Sequence, residues 1–89
     1  MKAIVTVVGK DRVGIIAEVC TDLSIFNVNV LDIRQTVMQG YFTMMMVVDV
    51  SESTCPLAEL AQKLEEKGRQ MNLSIRLQRE EIFQSMHRV

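Results

Sequence analysis

Eighty-nine residues, 48% of them hydrophobic and only 4% aromatic, suffice for one modest aliphatic core. Ten basic residues against eleven acidic ones leave a formal charge of -1 without a basic run. That balance excludes a surface built to neutralise nucleic-acid phosphates. The apolar stretches are too short to span a membrane. Met1-Lys2-Ala3 leads straight into a strand pattern rather than a signal peptide.

Ala3 to Val8 is β-branched and nearly continuous in apolarity, which predicts a central strand buried on both faces. Gly9-Lys10-Asp11-Arg12-Val13-Gly14-Ile15-Ile16 then interrupts the run and opens a helical pattern to Phe26. Ile15, Val19, Leu23 and Phe26 share one stripe, widened by Ile16 and Cys20. Amides in the first turn of a helix lack internal partners and carry partial positive charge. They make a seat for a carboxylate or phosphate. Gly14 removes a side chain where such a ligand would approach, and Asp11 offers an acceptor for an amine. The alternative is a plain turn with Asp11 or Gly9 as the cap and nothing bound.

Asn27-Val28-Asn29 ends the helix, because Asn tolerates the left-handed conformation. Val28 to Met38 is the second strand. Val28 and Val30 alternate in phase with Asp32 and Arg34, while Leu31, Ile33 and Val37 take the other phase. This mixture suits an edge strand covered by something, or one rephased midway by a bulge. Gln39-Gly40 is a turn, and Tyr41 to Val50 completes a hairpin with Phe42, Met44, Met46, Val48 and Val50 on one face. Ser53 or Thr54 is expected to cap the next helix, with Pro56 in its first turn. Leu57, Leu60, Ala61 and Leu64 form its buried stripe, extended by Met71. Gly68 either ends this helix or allows close packing on a sheet. Leu73, Ile75 and Leu77 alternate with polar residues as a half-exposed strand. Glu80 to Val89 reads as a tail helix with Ile82, Phe83 and Met86 on one side, and His87 as a solvated tail residue.

The order strand, helix, strand, strand, helix, strand predicts an α+β, ferredoxin-like βαββαβ sandwich: a four-stranded antiparallel sheet with both helices on one face, plus a short C-terminal helix. All of 1–89 is read as one domain. The uncovered sheet face would show Thr43, Met45 and Val47, which predicts a homodimer with the tail helix contributing to the cover. No catalytic set and no metal-ligand spacing is visible, so no cofactor is expected. Cys20 reads as a small buried hydrophobe and Cys55 as a loop residue, which fits a reduced, cytoplasmic setting. Among ferredoxin-like functions, a metal carrier lacks its Cys-x-x-Cys. An RNA reader lacks stacking aromatics on the first strand. An acylphosphatase-like enzyme could draw on Arg12 and Asn29 but lacks the repeated glycines and second arginine of its loop.

The Gly9 to Ile16 stretch, followed by Asn27-Val28-Asn29-Val30-Leu31-Asp32-Ile33, resembles the ACT domain, a regulatory ligand-binding module whose usual form is D-R-P-G-[IL], a helix, and N-[IV]-N-[IV]. The tail from Gln78 to Arg88 is similar to a small stand-alone ACT-domain family of bacteria and archaea, itself functionally uncharacterised. The front half resembles the ACT repeats of the glycine cleavage system transcriptional repressor. The resemblance implies a homodimer that senses an amino acid or similar small metabolite. It implies that Asp11 receives the amino group and that the backbone of Val13, Gly14 and Ile15 holds the carboxylate. It implies further that Asn29, from across the dimer interface, closes the site. Val13 stands where the family commonly has proline, so the φ of this turn is not locked. A purely structural dimerisation or protein-interaction domain, docking on an unidentified protein partner, is the alternative; the acylphosphatase-like hydrolase is a remote one.

Overall fold

A computed structural model describes residues 1–86, apart from the side chains of Phe83 and Met86. The elements are β1 (Lys2–Lys10), α1 (Ile15–Ile25), β2 (Asn29–Met38), β3 (Tyr41–Asp49), α2 (Leu57–Gln70), β4 (Leu73–Arg79) and α3 (Glu80–Met86). All strand pairs are antiparallel and the sheet order is β2-β3-β1-β4. This is the ferredoxin-like arrangement, with the most apolar segments, β1 and β3, in the centre. Their register runs from Lys2↔Asp49 to Lys10↔Tyr41. His87, and the part of the expected tail helix beyond Met86, lie outside the described residues.

Strand alternation puts Ala3, Val5 and Val7 on the same face as Met44, Met46 and Val48. Ile15, Val19 and Leu23 of α1 and Leu60 and Leu64 of α2 close over that face, and every one of these side chains is buried. Gly68 lies inside α2, not at its end. A Cβ there would stand 2.8 Å from the Leu73 carbonyl oxygen and 2.9 Å from Ile75, so the glycine allows helix and β4 to touch. Pro56 occupies the cap position of α2, and no side chain bonds its first turn. The expected cap by Ser53 or Thr54 is therefore corrected. Those residues sit too far upstream, and the Ser53 hydroxyl donates instead to the Cys55 carbonyl at 2.9 Å.

The hairpin turns through Gln39 and Gly40, both at positive φ, the requirement of a turn that matches strand twist. Across β2 the register shifts between Val30 and Asp32. Leu31 is the extra residue, so the rephasing bulge is the arrangement adopted. Beyond it Ile33, Gln35 and Val37 stand opposite Met46, Met44 and Phe42 and share the helix-side face with them. On the other face Ile4 is only 6% exposed. α3 follows β4 without a break and also meets β1.

Candidate functional site

Between β1 and α1 the chain turns from strand to helix within four residues. Gly14 makes this turn at φ 92°, which costs an L side chain energy and glycine little. An added Cβ would find no atom within 4 Å, so open space lies over the backbone. Gly14 is itself the cap of α1, and no side chain bonds the first-turn amides. Neither Asp11 nor Gly9 caps the helix. The Asp11 amide donates to the Gly40 carbonyl at 2.8 Å, which ties the turn to the β2–β3 hairpin. Gly9 stays within β1, where a Cβ would strike Leu73.

That tie leaves a cleft of about 680 Å³ between the first turn of α1 and the second half of β2. The size falls in the range of small-molecule sites, roughly 300–1,000 Å³. Asp11, Arg12 and Gly14 line its loop side; Ile15, Ile16 and Ala17 line its helix side. Gln35, Thr36 and Val37 supply the strand side, with Phe42 of β3. Ile15 and Phe42 are buried in the core, whereas Ile16 is 36% and Val37 54% exposed.

Arg12 is occupied. Its Nη2 lies 2.8 Å from Glu18 Oε2. The hydrogen bond between them holds the Glu18 carboxyl below its ordinary pKa and the Arg12 guanidinium above its own. Glu18 is also the acidic residue of the first turn, where the helix dipole favours it.

Three of the five residues expected at the site, Asp11, Gly14 and Ile15, meet in this cleft. The Val13 side chain is 98% exposed and is not among the lining residues. Asn29 begins β2 and pairs with Asp49, the residue opposite Lys2. At about 3.3 Å per residue over the nine residues from Lys2 to Asp11, it lies roughly 30 Å from Asp11 along the strands of its own chain. It lines a separate hollow of about 340 Å³ with Ser24, Asn27 and Glu52. Arg12 and Asn29 therefore share no site within one chain. The lining residues that the sequence left unassigned are Ile16, Ala17, Gln35, Thr36, Val37 and Phe42. Val37 and Phe42 could have been found from the tight Gln39-Gly40 turn, which sets them opposite one another; Gln35 needed the bulge. Among the described residues no group of three or more His, Cys, Asp or Glu could hold a metal ion. No helix there is long and apolar enough to cross a membrane.

The ACT domain family model matches residues 2–78. A UPF0237 protein of Bifidobacterium longum is 56% identical over 88 residues, spanning 99% of this chain and 98% of that protein. A UPF0237 protein of Clostridium acetobutylicum is 52% identical over the whole of both chains. Among solved structures, an ACT domain protein from Streptococcus pneumoniae superposes with a TM-score of 0.82 at 43% identity, covering 93% of each chain. A protein described as a glycine cleavage system transcriptional repressor superposes with a TM-score of 0.72 at 26% identity, covering 86% of this chain and 44% of that one.

Proposed function

The chain belongs to the ACT domain family, and from that premise we propose that residues 1–89 form one ACT domain, a homodimeric regulatory module that binds a free amino acid in the cleft beside Gly14. The observation that carries this reading is the uncapped first turn of α1 opening on a cleft that Asp11 also lines. The two ends of a zwitterion need complementary charges close together. Asp11 supplies a carboxylate for the ammonium group. The backbone amides at Val13, Gly14 and Ile15 supply donors for the carboxylate, with the helix dipole behind them.

The second copy enters through β2. This strand is at the sheet edge, and Leu31 and Met38 leave large apolar side chains exposed along it. A long apolar edge is a template for pairing with another strand. Antiparallel pairing of β2 with its own copy exchanges the two ends of the strand. It would carry Asn29 of the partner subunit from the far end of its sheet toward the Val37 end of this one, where the cleft lies. Ligand occupancy then bears on how the two chains associate, and the signal leaves through a protein partner in the cytoplasm.

Thermal unfolding against a panel of amino acids tests the proposal. A ligand at a hundred times its dissociation constant adds about 2.7 kcal/mol. At least one amino acid should raise the melting temperature, and Asp11→Ala should abolish the rise. A flat panel, with a dimer seen by light scattering, would instead favour the purely structural dimerisation domain, which the exposed β2 edge also supports.

A further inference from the structure

Resting on the amino-acid reading of the cleft, we infer that it selects a ligand with an uncharged aliphatic side chain of about the size of valine or leucine and rejects acidic ones. The reasoning starts from the walls. Ile16 on α1 and Val37 on β2 are exposed apolar side chains on the two sides of one cleft. Water is a poor partner for both, and an aliphatic group placed between them would remove apolar surface from water on each side. Beneath them Ile15 and Phe42 continue the same chemistry into the core.

The charges point the same way. Arg12 is the cation that lines the cleft, and Glu18 already holds it at 2.8 Å. A side-chain carboxylate would have to compete with Glu18 for the same guanidinium. Asp11 is the lining anion; with the ligand ammonium on it, no carboxylate of the lining is left for a lysine side chain. Gln35 adds one neutral amide, which cannot neutralise a charge. Glu18 thus acts as a specificity-determining residue through Arg12.

Calorimetric titration of the full chain with glycine, alanine, valine, leucine, aspartate and lysine tests this. Each methylene fully buried is worth about fourfold in affinity. Leucine should bind at least tenfold tighter than alanine, with no aspartate heat at the same concentration. Alanine or glycine binding as tightly as leucine, lost in Asp11→Ala, would overturn the selectivity while leaving the amino-acid reading intact. No binding by any of the six would overturn both. Ile16→Gln, a change at a partly exposed helix position, should lower the ratio of leucine to alanine affinity about tenfold; an unchanged ratio contradicts the apolar wall. Glu18→Gln should release Arg12 and make aspartate binding measurable; continued silence contradicts the role given to Glu18.

Discussion

β3 and β2 are joined by a tight turn and paired along most of their length, yet they live in different surroundings. On β3, Phe42, Met44, Met46 and Val48 are buried beneath the helices. On β2, nine of ten residues are exposed and only Val30 is partly buried. The reason is lateral. α2 packs towards the opposite edge, on β4, and α1 barely meets β2, which is left as an open edge. The difference teaches that stability and recognition are carried by neighbouring strands. The buried strand holds the hairpin, and the hairpin holds an apolar and polar wall out beside the first turn of α1.

The largest effect should come from the central region. Leu64→Ala removes a fully buried side chain and should cost about 2–5 kcal/mol in denaturant unfolding. The counterpart on the edge, Leu31→Ala, should cost no more than about 0.5 kcal/mol at concentrations where the chain is monomeric. At higher concentrations it should weaken self-association in sedimentation experiments. If Leu31→Ala proved as costly as Leu64→Ala in the monomer, the contrast between the strands would fail.

Next comes the contact between α2 and β4. Gly68→Ala introduces a Cβ at 2.8 Å from a backbone oxygen, which a flexible side chain cannot relieve. About 1–3 kcal/mol of destabilisation is expected from this overpacking, despite the better helix propensity of alanine. Gly14→Ala should cost less, about 1–2 kcal/mol, since its penalty is conformational and the space around it is open. Urea unfolding separates the two, and only Gly14→Ala should also remove a ligand-induced thermal shift.

Much of the central region is readable from residue type. The continuous apolarity of β1, the alternation of β3 and the Gln39-Gly40 turn each specify their element locally. Gly68 was ambiguous because end and close approach both call for glycine, and only the Leu73 oxygen decides between them. The edge is harder to read. Leu31 is one extra residue in a strand apolar in both phases, and it alone determines whether Gln35 and Val37 face the helices or the open side. The loop side of the cleft, Asp11 to Ile15, was legible because a strand-to-helix turn with glycine has a local signature. Its strand side was not, because it depends on that one-residue shift. The α2 cap failed for a related reason: Ser53 and Thr54 have the right chemistry, but the chain spends Ser53 on a turn before Pro56.

The smallest expected effect lies at the far end of β3. Ser51 hydrogen-bonds the Asp49 carboxylate through its hydroxyl and through its amide, the latter at 2.9 Å. Together with the nearby N-terminal ammonium, these bonds lower the Asp49 pKa from 3.8 to about 2. A carboxyl with a lowered folded-state pKa adds stability above its unfolded value and loses it as pH falls through the folded one. This contribution should therefore be complete above pH 3.8 and fade toward pH 2. Carbon-detected NMR titration of Ser51→Ala should show Asp49 moving back up toward its ordinary value, with the cleft resonances undisturbed.

Amide NMR of the isotopically labelled chain, titrated with leucine, reports directly on whether the first turn of α1 and the second half of β2 are two walls of one binding site. Shifts concentrated at Gly14, Ile15, Ile16 and Val37, and absent in Asp11→Ala, are the predicted result. Shifts clustered around Asn27, Glu52 and the far end of the sheet, or none at any residue with any amino acid, would contradict it.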